Sequence, residues 1–138
     1  MRKNKNQSTT LLDICILTAG RSDLFEKCVD TLLPMMKPEY KICVFNNGSP
    51  NPEYNRIYQK LPQGSEIKQT NNNIGFPGGA NSVIRLGKSP LVLFVSDDIY
   101  LHTNTIETLI RRMDEPQIAL CGLKLIFPED SNDQSKPA

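Results

Sequence analysis

Apolar and polar positions alternate along this chain in two rhythms. Leu11 to Leu17 (LLDICIL), Tyr40 to Phe45 (YKICVF) and Leu91 to Val95 (LVLFV) are short apolar runs rich in branched residues, which predicts strands of a buried sheet. Between the first two, Leu24, Phe25, Cys28, Leu32 and Leu33 recur at helical spacing before Pro34. Ser22 and Asp23, with Glu26 three positions after Asp23, predict a capping arrangement at that helix's start. A second helix is expected from Glu53 to Leu61, with Tyr54, Ile57, Tyr58 and Leu61 on one side. Glu66 to Thr70 is a weaker strand candidate for a sheet edge. Pro77 suits the first turn of a helix running to about Leu86, closed by Gly87.

The third run, read through to Leu101, is LVLFVSDDIYL. It predicts a strand buried on both faces whose end carries Ser96, Asp97 and Asp98; extended geometry would turn Asp97 away from the other two. Further on, Thr103 or Asn104 is placed to cap a helix bearing Ile106, Leu109, Ile110 and Met113, stopped by Asp114-Glu115-Pro116. Ile118 to Phe127 reads as a last strand broken at Gly122. Strands alternating with helices at short spacing argue for a three-layer α/β/α fold with a mainly parallel sheet. Ligands of such sheets bind beyond the carboxyl ends of the strands. Thr18 to Arg21, Asn46 to Ser49, Asn71 to Gly79 and Ser96 to Asp98 all follow strands, so four polar loops are expected on one rim.

Composition narrows the function classes. The 138 residues have the size of one domain, and 16 basic against 15 acidic residues give no bulk attraction to nucleic acid or an anionic membrane. Residues 1–10 read as a polar leader, residues 11–127 as the folded part and residues 128–138 as a loop or disordered tail. No apolar run is long enough to span a bilayer, and no secretory signal is evident, so a cytoplasmic setting is the default. Cys15, Cys28, Cys43 and Cys121 are scattered without a C-x-x-C pair. They read as small buried hydrophobes in a reducing compartment.

Two stretches carry candidate chemistry. Adjacent carboxylates at the end of a buried strand repel each other and lose hydration, which a cation or a set of donors relieves. Hard oxygens suit Mg2+ or Mn2+, ions that commonly bridge to phosphate. The bland reading of Asp97 and Asp98 is a strand end entering a turn. Asn73-Ile74-Gly75-Phe76-Pro77-Gly78-Gly79-Ala80-Asn81 joins three glycines to a helix start, where backbone can approach a bulky anion such as a diphosphate. The spacing matches neither the dinucleotide fingerprint nor the P-loop. Its bland reading is a glycine-rich turn.

Taken in order, these motifs resemble the N-terminal half of a family 2 glycosyltransferase of the GT-A fold, of rhamnosyltransferase-like type, over roughly Leu12 to Phe127. Ile16-Leu17-Thr18-Ala19-Gly20-Arg21 is similar to that family's first strand and loop, and Phe45-Asn46-Asn47-Gly48-Ser49 to its Asp-Asn-x-Ser motif. Asn73-x-Gly75-Phe76-x-Gly78-Gly79-x-Asn81 resembles its N-x-G-F/Y-x-x-G-x-N motif, and Ser96-Asp97-Asp98 lies where its D-x-D metal motif falls. The resemblance implies that Thr18 and Arg21 line a nucleotide pocket and that Asn46 faces the base, with Asn47 in the same donor-binding set. Asn73, Gly75, Gly78, Gly79 and Asn81 would border the sugar diphosphate. Ser96 would contact the ribose, beside Asp97, and Asp98 would bind Mn2+ or Mg2+. Asn46 stands where the family has Asp, and Ser96 where it has the first metal carboxylate.

The implied partners are a UDP-, dTDP- or GDP-linked sugar and an unknown glycan or lipid-linked acceptor, the latter compatible with peripheral membrane association of the parent protein. Transfer with inversion needs a base to take the acceptor proton, which the resemblance places in a C-terminal acceptor half. The chain is therefore expected to be the donor-binding part of a longer protein, with no catalytic base assigned. Asp114 and Glu115 at a helix end, and His102 at a helix start, read as structural. Two other classes remain open: a non-catalytic nucleotide-sugar-binding or interaction module, and a small nucleotidyltransferase relying on Arg21.

Overall fold

The computed structural model describes residues 10–127. Tail positions 128–138 and leader positions 1–9 lie outside them. The chain divides into two compact units, Met1–Thr103 and Asn104–Ala138.

The first unit is built on four parallel strands: β1 (Leu12–Thr18), β2 (Tyr40–Asn46), β3 (Glu66–Gln69) and β4 (Leu91–Ser96), in the order β3-β2-β1-β4. Helices α1 (Ser22–Leu32), α2 (Pro52–Tyr58) and α3 (Gly75–Ile84) fill the connections, and a single 3-10 turn, Leu33–Met35, follows α1. Alternation along the strands sorts the core. Cys15 and Leu17 of β1, Cys43 and Phe45 of β2 and Val83 of α3 form one buried cluster, with Ala80, Leu86 and Phe94 packed on it. The positions between them turn to the other face, where Thr18 and Asn46 meet Tyr54 and Tyr58 of α2, and where Phe25 of α1 packs on the same two rings. The sheet is thus covered on both faces, as the three-layer reading requires.

Order matters for the site. The chain adds β2 and β3 on one side of β1, then crosses to add β4 on the other, so the strand order reverses between β1 and β4. A ligand crevice of such sheets lies at that switch point, beyond the strand ends. At the opposite end, Asp13, the polar interruption of the first apolar run, is buried and its Oδ2 accepts from the Lys88 and Ser89 backbone amides. It ties the turn before β4 to the start of β1.

Several expectations are corrected. The strand expected to be buried on both faces, β4, is an edge of the described sheet, and Val92 is 42% exposed. A continuous apolar run reports what a strand is able to bury and is silent on what covers it. The strand stops at Ser96; Asp97 and Asp98 form a turn closed by the Ile99 amide on the Ser96 carbonyl. Helix α1 begins after Arg21 with no side-chain cap, because Asp23 pairs with Arg21 and Glu26 with Arg56 and Lys60 instead. The real cap is at α2, where Asn51 Oδ1 accepts from the Glu53 amide.

In the second unit, α4 (Thr105–Met113) follows Asn104, whose left-handed backbone (φ +66°) leaves its side chain out of the capping position. Ile118 to Phe127 is irregular, not a strand. An apolar run becomes a strand only where a neighbour completes its ladder, and none pairs with it among the described residues.

Candidate functional site at the strand ends

All four polar loops meet at the carboxyl end of the sheet. At the end of β1, Thr18 is buried and its Oγ1 donates to Asp97 Oδ2 at 2.7 Å, while the Ala19 amide reaches the same oxygen at 3.3 Å. An ionised carboxylate offers no proton, so the Thr18 hydroxyl gives its hydrogen to Asp97 and accepts the one from Tyr54 Oη, 2.9 Å away. Burial pushes the Asp97 carboxyl above the ordinary carboxylate range; the Thr18 and Ala19 donors oppose this, and the negative charge of Asp98 adds to it.

At the end of β2, Asn46 is wholly buried and both ends of its amide are engaged. The two hydrogens of Nδ2 are shared among three acceptors in reach, the Ser49 carbonyl at 3.0 Å, Tyr58 Oη at 3.1 Å and Gln69 Oε1 at 3.3 Å; Oδ1 accepts from the Ser49 amide at 3.2 Å. Asn47 points the other way. Its backbone amide holds the Thr18 carbonyl at 2.8 Å, joining the first two loops. Its side chain clamps the third: Nδ2 donates to Asn73 Oδ1 (3.1 Å) and to the Gly75 carbonyl (3.0 Å), and Oδ1 accepts from the Ile74 amide (2.9 Å). Gly48 makes this approach feasible, for a Cβ there would lie 2.2 Å from the Asn73 nitrogen, at a φ of +84°. Gly79 plays the same part from α3, where a Cβ would lie 2.7 Å from Leu17 Cδ1 and 2.8 Å from Asn47 Nδ2.

The glycine loop is therefore held by Asn47 on one flank. On the other, Phe76 packs edge-on against Phe94 of β4, with ring centroids 6.1 Å apart. The amides of Ile74 and Gly75 are already taken by Asn47 Oδ1 and Asn73 Oδ1, and Pro77 has none. The helix dipole of α3 also favours an anion at this end. Gly78 is half-buried against Ile74, and Asn81 is exposed.

Asp98 differs from its neighbour. It is exposed and has no hydrogen-bond partner among the described residues. No three His, Cys, Asp or Glu side chains come together as a metal-ligand group among those residues. The donor set nevertheless fits a hard cation of the Mg2+ or Mn2+ type, since such ions are commonly held by one or two carboxylates with phosphate oxygens and water completing the shell. Asp98 would supply the open carboxylate, while Asp97 spends one oxygen on β1. Ser96 is half-buried, its carbonyl occupied by the turn.

Arg21 is 60% exposed and forms a two-pronged pair with Asp23 (3.1 and 3.0 Å), which raises the pKa of its guanidinium, Asp97 adding a weaker pull. His102 is exposed. Asp114 ends α4, and Glu115 pairs with Arg112 at 2.7 Å. Tyr54 and Tyr58 are the residues sequence reasoning passed over, counting them only as an apolar helix face. The available signal was that a buried phenol seeks a polar partner, and the nearest polar positions were the strand ends.

Comparisons with known proteins give two distant relatives, a structure of similar fold and a family. The chain is 24% identical over 126 residues to the O-antigen biosynthesis protein RfbC of Myxococcus xanthus, a match covering 89% of this chain and 10% of that protein. It is 22% identical over 115 residues to the uncharacterized protein MT1568 of Mycobacterium tuberculosis (strain CDC 1551 / Oshkosh), covering 83% of this chain and 36% of that one. The chain thus spans about a tenth and about a third of these relatives. In fold it is similar to the mannosyltransferase PcManGT of Pyrobaculum calidifontis, solved with GDP-Man and Mn2+. The TM-score is 0.68 at 13% identity, over 78% of this chain and 33% of that one. Residues 13–137 match the family model "Glycosyl transferase family 2", and the chain belongs to that family.

Proposed function

We propose that this chain is the donor-binding part of a glycosyltransferase, taking a nucleoside diphosphate sugar and a divalent cation at the β1–β4 switch point for transfer with inversion to an acceptor hydroxyl. One observation carries the reading. Where the strand order reverses, a rim of mutually bonded polar groups leaves the Asp98 carboxylate open at the same end of the sheet at which α3 begins, its Phe76 packed on Phe94 of β4. That pairing of an open hard-oxygen ligand with a helix dipole suits a metal-bound diphosphate. The family and the GT-A-like fold support it, and the mannosyltransferase of similar fold was solved with GDP-Man and Mn2+.

The proposed roles are those that the family resemblance implies, and the arrangement of the rim is compatible with them. Thr18, Asn46 and Asn47 shape the nucleotide side, Arg21 flanks it, and Asn73, Gly75, Gly78, Gly79 and Asn81 border the diphosphate. Asp97 and Ser96 sit at the ribose side. Asp98 holds the cation, which when bound neutralises charge growing on the leaving diphosphate. The base that takes the acceptor proton is assigned to the rest of the parent protein.

Calorimetry with UDP, dTDP and GDP conjugates, with and without Mn2+, tests the proposal. At least one conjugate is expected to bind, more tightly with Mn2+, and Asp98→Ala should weaken that binding by about tenfold or more while the melting temperature holds. Binding indifferent to metal, or absent for all three, rejects it. Nucleotide binding without metal dependence would favour a non-catalytic module instead.

A further inference from the structure

The donor side of the rim rests on a feature that neither the motifs nor the comparisons assign. Tyr54 and Tyr58 lie one turn apart on α2 and so share a face. Their rings pack in a three-ring cluster with Phe25, at centroid distances of 5.6 Å (Phe25–Tyr54), 6.1 Å (Phe25–Tyr58) and 6.0 Å (Tyr54–Tyr58). For ring packing alone phenylalanine would serve. Yet each hydroxyl ends on the last side chain of a different central strand: Tyr54 Oη on Thr18 Oγ1 at 2.9 Å, and Tyr58 Oη on Asn46 Nδ2 at 3.1 Å. Thr18 and Asn46 themselves are 1% and 0% exposed.

We propose that Tyr54 and Tyr58 are positioning residues for the donor site, a pair of phenols that fix the rotamers of Thr18 and Asn46 from beneath. The inference rests on the proposed function. Its physical content is directional. Tyr54 donates to Thr18, which leaves the Thr18 hydrogen one destination, Asp97 Oδ2 at 2.7 Å. That bond holds Asp97, and with it the turn that presents Asp98. A hydroxyl without Tyr54 beneath it is free to rotate, and Asp97 loses a fixed donor. Tyr58 acts in parallel, accepting from an Asn46 amide that also holds the Ser49 carbonyl and Gln69. It keeps the second loop folded over the end of β2. Buried networks of this kind couple their members, so removing one hydroxyl is felt at the next.

Tyr→Phe variants remove the hydroxyl and keep the ring. Mn2+-dependent binding of GDP, UDP and dTDP is measured by calorimetry for the wild type, Tyr54→Phe, Tyr58→Phe, Thr18→Val and the Tyr54→Phe/Thr18→Val double variant, with circular dichroism melts on each. Tyr54→Phe is expected to weaken binding about fivefold, the equivalent of one net hydrogen bond, and Tyr58→Phe about threefold. Thr18→Val should fall at least as far as Tyr54→Phe, and the double variant should be no worse than Thr18→Val alone. That last result separates positioning through Thr18 from general loosening, which would make the losses multiply. Wild-type binding matched by both Tyr→Phe variants, or multiplying losses in the double variant, overturns this inference and leaves the proposed function standing. Absence of nucleotide binding by the wild type overturns both. Should Tyr54→Phe fail to fold, Tyr58→Phe binding as tightly as wild type overturns it.

Discussion

The two sides of the rim are built on opposite plans. Around the ends of β1 and β2, Thr18, Asn46 and Asn47 are buried and their polar atoms are spoken for by Tyr54, Tyr58, Asp97 and the glycine loop. Around the end of β4 and the outer glycine loop, Asp98 and Asn81 are exposed, and Ile74 and Phe76 are 50% and 62% exposed. The first side has its shape before any ligand arrives. The second has unspent chemistry. Preorganisation and reactivity are thus divided between neighbouring loops: buried donors and acceptors bonded to one another give rigidity, while a charge left in water keeps its coordination capacity for a guest.

Gly48→Ala attacks this division hardest. The new Cβ would meet the Asn73 backbone at 2.2 Å and must also tolerate a φ of +84°, so a loss of about 3 kcal/mol or more in unfolding free energy is expected from urea titration. Gly64→Ala is the control, because it shares the positive φ (+91°) with open space around its Cβ, and about 1 kcal/mol is expected. Equal losses would show that strain, not contact with the glycine loop, matters at position 48.

Asn47→Asp comes next. A carboxylate still accepts from the Ile74 amide but turns an acceptor toward Asn73 Oδ1 and the Gly75 carbonyl, so about 2 kcal/mol is expected in the same titration. On the open side, Asp98→Asn should change stability by less than about 0.5 kcal/mol. A large loss there would mean that the open side is structural after all.

How far the sequence revealed this contrast depends on what kind of physics each part obeys. Elements with strong local rules were legible: β1, β2, the α1 periodicity and the exposed edge strand β3 appear where apolar pattern and turn residues placed them. The convergence of four polar loops followed from parallel topology alone. Local pattern failed where the outcome depends on a distant partner. Leu91–Val95 carried the apolar run of a central strand and became an edge, and Ile118–Phe127 had strand composition without a ladder to join. The same holds at the site. Thr18, Asn47 and the glycines were named from their motifs, but the 36-residue separation between Thr18 and Tyr54 hides their hydrogen bond from any local reading. Asp97 and Asp98 are adjacent letters with unlike fates, decided by which of them faces the end of β1.

The smallest expected effect probes what lies under the closed side. Glu26 of α1 receives Arg56 Nη1 and Nη2 and Lys60 Nζ, all at 2.6 Å, and these cations hold its carboxyl down at about 2. A depressed folded-state pKa stabilises above the unfolded value of about 4.5 and is lost as pH falls toward about 2. Asp97 has the opposite sign: its raised pKa favours the folded state at low pH and costs stability as pH rises through the folded value. Lowering the pH across this acid window should therefore cost the wild type more of its urea midpoint than it costs Glu26→Gln, in which the contribution of the α1–α2 brace is removed and that of Asp97 is kept. Because Arg56 is 54% exposed and Lys60 33%, the difference should also shrink in high salt. Identical acid profiles for the two proteins would mean that these ion pairs do not hold α1 to α2, leaving the Phe25–Tyr54–Tyr58 rings as the foundation on which Thr18 and Asn46 stand.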